Sequence, residues 1–224
     1  MTAAPVLAVD GPGGAGKGTL CRRVADRLGW HLLDSGALYR LVALAAAGAG
    51  TALDDEPGLA GLARSLPARF SGERVLLGGR DVTQEIRTEA CGDRASRVAA
   101  WPAVRTALVG LQRGFQRPPG LVADGRDMGT VIFPDADLKV FLTASAEERA
   151  MRRYNQLKEK GFDVNLRGLS AEVAARDQRD AERAVAPLRP APDALVLDST
   201  QLSIGEVVDA VLEMLRQRRL IPEG

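Results

Sequence analysis

Short aliphatic runs and longer amphipathic stretches follow one another along this chain. Five runs, Val6–Val9, His31–Leu33, Leu121–Ala123, Leu138–Leu142 and Leu195–Leu197, have the length and continuity of buried parallel strands. Helical stretches lie between them at Lys17–Leu28, Ala37–Ala47, Pro102–Gln116, Ala146–Leu157 and Ile204–Arg218, with Pro102 at a first helical position. Ser145 with Glu148, and Ser203 with Glu206, have the spacing of a capping box at the start of the last two. Strands alternating with helices predict an α/β fold with a doubly wound, parallel five-stranded sheet.

Two regions break this rhythm. From Gly48 to Ala100 the pattern is irregular, punctuated by Pro57, Pro67 and Gly72, and reads as an insert on one edge of the sheet. Within it Arg74–Val82 predicts a small β-hairpin with Gly78-Gly79 in the turn. From Arg152 to Pro192 the chain is rich in Arg and Asp and poor in core-forming aliphatics. Between Arg149 and Arg189, eight Arg and two Lys face six acids, a local charge of +4 in a chain of +1.

Composition narrows the class. At 224 residues, 46% hydrophobic and 26% charged, the chain is expected to be one large domain or one domain with inserts rather than a disordered polymer. Aromatics are only 4%, so the core must be mainly aliphatic. The small net charge gives no global field for nucleic acid or an anionic membrane. Two cysteines, Cys21 and Cys91, make neither a disulfide framework nor a metal cluster. The N-terminus lacks a secretory pattern, and the longest apolar stretch, Leu41–Ala49, falls far short of the roughly 20 residues of a membrane helix. A reduced, cytoplasmic protein is expected. Arginine supplies 26 of the 30 basic residues; GC-rich coding explains the bias but not the positions.

The strongest local chemistry is Gly11-Pro12-Gly13-Gly14-Ala15-Gly16-Lys17-Gly18-Thr19, which follows a strand and opens a helix. In that context glycines let successive backbone N–H groups converge, the helix N-terminus adds positive potential, and the lysine reaches β- and γ-phosphates. Gly11, Gly13 and Gly16 also fit a dinucleotide fingerprint, with Asp34 near the end of the next strand. Lys17 argues against that rival, because a dinucleotide site uses backbone there. Gly18 stands where a P-loop usually has a hydroxyl for Mg²⁺, and Thr19 comes one step late, so direct metal ligation by the loop is not expected.

The GPGGAGKGT loop resembles that of nucleoside monophosphate kinases. Further blocks, Asp34-Ser-Gly-Ala-Leu-Tyr-Arg40, Gly79-Arg-Asp-Val-Thr-Gln-Glu-Ile-Arg87, Asp124-Gly-Arg-Asp-Met-Gly-Thr130 leading to Phe133-Pro134, Arg176-Asp-Gln-Arg-Asp180, Arg183-Ala-Val-Ala-Pro-Leu188 and Asp198-Ser-Thr200, resemble the bacterial cytidylate (CMP/dCMP) kinases nearly end to end. Gly13 departs from the Ser expected in many members, a change harmless to a backbone cradle. The resemblance implies phosphoryl transfer from ATP to CMP or dCMP on a P-loop NTPase core (1–47, 101–150 and 188–224), with a monophosphate-binding insert (48–100) and an arginine-rich lid (151–187). It implies ATP as donor and Mg²⁺ arriving with the nucleotide, with few or no direct protein ligands and no dedicated metal site. Small-molecule substrates, no nucleic acid, no membrane and a monomeric state are expected.

Such a reaction needs two nucleotides in line, their charge neutralised and water excluded. Arginine forks suit paired phosphate oxygens. Lys17 is expected on the donor phosphates. By resemblance, Arg40 takes the acceptor phosphate with Ser35 and Tyr39 nearby, although Tyr39 is equally readable as a core aromatic. Arg126 and Asp127 follow the third strand, where open α/β sheets place ligands. By resemblance Arg126 grips phosphate, and Asp127 reads the cytosine amino group with Ser96 and Arg105 on the base edge; an acceptor carboxylate has the polarity to prefer cytosine over uracil. Arg176, Arg179 and Arg183 have the spacing of one helical face, a like-charge row that favours an anion. By resemblance Arg176 and Arg183 contact the acceptor nucleotide and Asp180 the ribose; Lys17, Arg126 and Arg183 carry the catalytic charge. Arg149, Arg152 and Arg153 are lesser candidates on the donor side.

Other residues have simpler readings. Asp34 shapes a turn; Asp124 either places Mg²⁺ through water or caps its loop; His31 is half-buried, Cys21 is core, and Trp30 and Trp101 are packing anchors. A GTP-hydrolysing switch is a competing class, but no lysine follows Asn or Thr as a guanine-reading motif requires.

Overall fold

A computed structural model describes residues 3–222 apart from 73, 160 and 162. Positions 1, 2, 223 and 224 of the expected core, 73 of the expected insert, and 160 and 162 of the expected lid lie outside the described residues. The element order is β1 (Val6–Asp10), α1 (Lys17–Leu28), β2 (His31–Asp34), α2 (Ser35–Ala49), α3 (Glu56–Arg64), β3 (Ala68–Ser71), β4 (Arg74–Leu77), β5 (Arg80–Asp81), α4 (Glu89–Val98), α5 (Pro102–Arg113), β6 (Leu121–Asp124), β7 (Leu138–Thr143), α6 (Ala146–Glu159), α7 (Leu166–Ala181), β8 (Leu195–Asp198) and α8 (Ile204–Gln217).

The chain forms two compact units, one running to Leu33 and resuming at Phe115, the other spanning Asp34–Gly114. In the first, five strands lie in the order β2-β6-β1-β7-β8. The pairings of β1 with β6 and β7, and of β7 with β8, are parallel. Strand β1 is central and buried along its whole length, which explains its unbroken aliphatic run. Leu7, Val9, Leu138 and Val140 from the sheet meet Leu20 and Val24 of α1 and Val207, Val211 and Leu215 of α8 in an aliphatic core. Helix α8 starts with a reciprocal capping box between Ser203 and Glu206. Ser145 accepts from the Glu148 N–H at the head of α6. The C-terminal ends of β1 and β6 lead into the Gly11–Gly16 loop and the 125–132 loop, the edge where parallel sheets gather ligands.

The second unit packs α2 on α4 and α3 on α5, with β3, β4 and β5 in an antiparallel sheet. It takes in α2 and α5 as well as the irregular segment. Gly78 and Gly79 both have positive φ (57° and 84°) in the tight β4–β5 turn.

Several expectations need correction. The 48–100 segment is not irregular, since it carries α3, α4 and the three-stranded sheet. Short helices and sparse aliphatics hid α3, α4 and β3, whereas β4 and β5 lie within the expected Arg74–Val82 hairpin. Leu195–Leu197 is a strand but not a buried one: it is the sheet edge, with Val196 62% exposed. Helices α6 and α7 span most of the Arg- and Asp-rich stretch, and α6 covers the expected Ala146–Leu157 helix. Arg183 lies beyond α7, whose last residue is Ala181, so Arg176, Arg179 and Arg183 do not share one helical face. No helix among the described residues is long and apolar enough to cross a membrane.

Candidate active site

The Gly11–Thr19 loop leaves β1 with Gly11 at φ 149°, and a Cβ there would overlap the Leu142 carbonyl oxygen of β7. Glycine is therefore required by close backbone approach as well as by conformation. Gly16, at φ 95°, is the N-cap of α1 and brings no side-chain cap, so the first-turn N–H groups of α1 open toward the loop. A helix N-terminus left uncapped within a glycine concavity is built for an anion.

Lys17 is buried, and its Nζ donates to the Pro12 carbonyl at 2.8 Å, folding the side chain back over the loop. Burial, and then the Arg126 guanidinium, lower its pKa to about 8, against the pull of Asp124 and Asp10. Arg126 donates through Nε to Asp180 at 3.0 Å and through Nη1 to the Gly125 carbonyl at 3.1 Å. A Cβ on Gly13 would lie 3.7 Å from Arg126 Nη2 and 3.8 Å from Arg176 Cδ, so both arginines reach over the loop. The serine expected at this position would fit with ordinary contact.

Asp180, near the end of α7, is buried. Burial raises its pKa, but Arg126, Arg183 and Arg176 outweigh it and the net shift is downward. One carboxylate is thus surrounded by three guanidiniums. Arg183 Nε donates to the Asp180 carbonyl at 3.3 Å, which holds Arg183 at the site although it is off the helix. The structure therefore brings Lys17, Arg126, Arg176, Asp180 and Arg183 together around the loop.

Behind the loop, two arginines act on backbone. Arg149 donates to the carbonyls of Gly13 (3.0 Å) and Ala144 (3.0 Å) and grips Asp177 of α7 with both Nη atoms (2.9 and 2.5 Å). Arg152 donates to the Ala15 carbonyl (3.3 Å), to Ser199 Oγ and carbonyl (3.1 and 2.6 Å) and to Glu148 (2.8 Å). These contacts position the loop's outer face and tie α7 to it. Asp177 was missed by sequence reasoning, because an acid among arginines looks like a solvated helix face.

Asp10, the last residue of β1, was missed too. Its two carboxylate oxygens accept from the Met128 and Gly129 N–H groups, each at 2.8 Å. Burial pushes its pKa up to about 6, although those two hydrogen bonds oppose the rise. The 128–132 segment is one π-helical turn, closed by Ile132 and Phe133 N–H groups donating to the Asp127 and Met128 carbonyls. Asp127 occupies its N-cap position, is 3% exposed and does not cap it with its own side chain. Asp124 Oδ2 lies 3.6 Å from where a Cβ on Gly18 would be, the carboxylate facing the start of α1. Among the described residues no cluster of three or more His, Cys, Asp or Glu could hold a metal ion.

In the other unit, Asp34 caps α2 by accepting from the Ala37 N–H at 2.9 Å, the turn-shaping role its position predicts. Ser35 and Tyr39 are buried on α2. Arg40 Nη1 donates to the carbonyls of Ile86 (2.6 Å) and Thr88 (3.0 Å), and Gly92 makes room for its guanidinium. Arg105 is buried, donates to the Ala99 carbonyl at 3.0 Å and lies 5.6 Å over the Tyr39 ring. Ser96 Oγ is buried with no hydrogen-bond partner among the described residues, an atom that awaits a polar group. The remaining features match the simpler readings: Cys21 is core, His31 Nε2 meets the Pro118 carbonyl at 3.0 Å, and Trp101 donates to the Leu53 carbonyl at 2.8 Å.

A glycine cradle between a central parallel strand and an uncapped helix, with a buried lysine and converging arginines, defines a nucleotide-binding protein of the P-loop NTPase class. Comparison with known proteins narrows this. The sequence profile of the cytidylate kinase family matches residues 7–217. The chain is 60% identical to the cytidylate kinase of Methylococcus capsulatus over 215 residues, covering 95% of this chain and 97% of that one. It is 57% identical to the cytidylate kinase of Aeromonas hydrophila over 219 residues (96% and 95%), and 59% identical to that of Pseudomonas syringae pv. tomato over 221 residues (96% and 96%). The chain belongs to the cytidylate kinase family.

Proposed function

We propose that this protein transfers the γ-phosphoryl group of ATP to CMP or dCMP, giving ADP and CDP or dCDP. The observation that carries the reading is a lysine buried inside a glycine phosphate loop with arginines reaching over it. Burial first, and then Arg126, lower the Lys17 pKa to about 8, and a bound polyanion would offset both.

In the mechanism, the backbone of Gly11–Thr19 holds the donor phosphates and Lys17 bridges the leaving and transferring groups. Arg126 and Arg183 neutralise charge that develops as the phosphoryl group moves; Arg176 binds the acceptor nucleotide and Asp180 its ribose. Ser35, Tyr39 and Arg40 serve the acceptor phosphate. Ser96, Arg105 and Asp127 read the cytosine edge, and the orphaned Ser96 hydroxyl supports that assignment. Residues 48–100 form the monophosphate-binding insert, and 151–187 form a lid whose closure excludes water.

Mg²⁺ bound to ATP would supply charge neutralisation on the phosphates. A site with Asp124 as the near carboxylate and glycine at position 18 suits an ion that keeps its waters and phosphate ligands. On this reading the protein is a cytoplasmic monomer acting on small nucleotides, without nucleic acid or membrane. An ADP-release assay coupled to a second enzyme, run with CMP, dCMP, UMP and AMP, tests it. CMP and dCMP should support fast release, UMP slower release, and AMP none above the acceptor-free rate; a preference for AMP would overturn the reading.

A further inference from the structure

The first two N–H groups of the 128–132 turn need an acceptor, as at any helical N-terminus. An aspartate in the N-cap position ordinarily supplies it from its own side chain. Asp127 holds that position and does not cap. The acceptor comes instead from Asp10, 117 residues earlier than Asp127 in sequence, whose two oxygens take the Met128 and Gly129 N–H groups at 2.8 Å each. Asp10 is 4% exposed at the end of a strand that is otherwise aliphatic, where a buried carboxylate is costly unless it has work to do.

We propose that Asp10 is a positioning residue for base selection: it caps the 128–132 turn, a role Asp127 at the N-cap position does not take, and so fixes the backbone that presents Asp127 to cytosine. The two carboxylates divide one task. Burial raises the Asp10 pKa to about 6, so at neutral pH it is ionised and both oxygens accept. Its neighbour in sequence is Gly11, so the same residue joins the phosphate loop to the base-reading turn. The proposal rests on the cytidylate kinase reading above and adds to it how the base-reading carboxylate is held.

Asp10→Asn keeps the shape but leaves one of the two N–H groups facing an amide donor. The displaced turn then draws Asp127 into capping it. The quantity to measure is the ratio of kcat/KM for CMP to that for UMP, with the melting temperature recorded alongside. Asp10→Asn should narrow the ratio about tenfold, the effect of misplacing one charge-assisted hydrogen bond. In an Asp127→Ala background it should narrow the ratio no further, because Asp10 acts through Asp127. A general loosening of the fold would lower kcat/KM for both nucleotides equally and leave the ratio intact, and that result overturns the proposal. So does additivity of the two substitutions. If Asp10→Asn does not accumulate as folded protein, Asp10→Glu decides: it keeps the charge and shifts the oxygens by one methylene, and the ratio should again narrow. An Asp127→Ala protein with unchanged CMP preference would defeat the base-reading assignment itself, an outcome distinct from failure of Asp10.

Discussion

The phosphate loop and the arginine cluster around Asp180 handle the same kind of charge in different ways. The loop works with backbone: Gly11 has no room for a Cβ, Gly16 leaves α1 uncapped, and Arg149 and Arg152 hold its carbonyls from behind. The cluster works with side chains: Arg126, Arg176 and Arg183 meet at one buried carboxylate, with Arg126 Nε donating to it at 3.0 Å. A backbone site is preformed and intolerant of added atoms. A side-chain site can rearrange its partners when a stronger anion arrives, and Asp180 serves as a stand-in until then.

The sharpest break of this contrast is Lys17→Met, which removes the side chain that links the two. It should lower kcat by about a thousandfold, the scale for losing one transition-state cation, in the ADP-release assay. Its melting temperature should not fall. Lys17 has a folded pKa of about 8 against 10.5 unfolded, so below pH 8 its buried charge is a cost to the fold, relieved only as pH rises from 8 toward 10.5. Removing the charge removes that cost.

Gly11→Ala against Gly13→Ala compares two loop positions directly. The first should destabilise the protein by about 3 kcal/mol in denaturant unfolding, because the new methyl meets the Leu142 carbonyl at a positive φ. The second, with its nearest neighbours at 3.7 and 3.8 Å, should stay within about 0.5 kcal/mol of the parent.

A calorimetric measurement refines the electrostatics. A phosphate brought to Lys17 raises its pKa back toward the ordinary value. Binding of MgATP between pH 8 and 9 should therefore take up a large fraction of one proton, about one at most, seen by titrating in buffers of different ionisation enthalpy. Lys17→Met should abolish the uptake. Asp10 works in the opposite direction on the unliganded fold: its pKa of about 6 exceeds the unfolded 3.8, so stability is lost as pH rises from 3.8 through 6. Ser203→Ala, which removes the capping box of α8, should cost about 1 kcal/mol without changing turnover.

The same contrast explains what could be read in the chain beforehand. The five strands of the main sheet, α1, and α8 with its capping box were legible because each depends on local pattern, as was the phosphate loop, whose glycines answer to backbone geometry. Helix α7 was legible only as an arginine-spaced face, not in its extent or packing, because Leu169 is its one buried aliphatic side chain and Asp177 and Asp180 hold it through arginines from other segments. Arg183 was placed on a helix it does not join, since spacing alone cannot show where a helix ends. Asp10 gave no signal, because an acid after a strand is equally a turn former, and the N–H groups it serves lie on a distant loop.

The most direct test of the central idea is a crystal structure with a bisubstrate analogue, a cytidine and an adenosine joined through a polyphosphate. Lys17, Arg126, Arg176 and Arg183 should all lie within hydrogen-bond distance of the phosphate chain, with Arg126 released from Asp180 or sharing it. Guanidiniums that keep their present partners and turn away from the bound phosphates would contradict it.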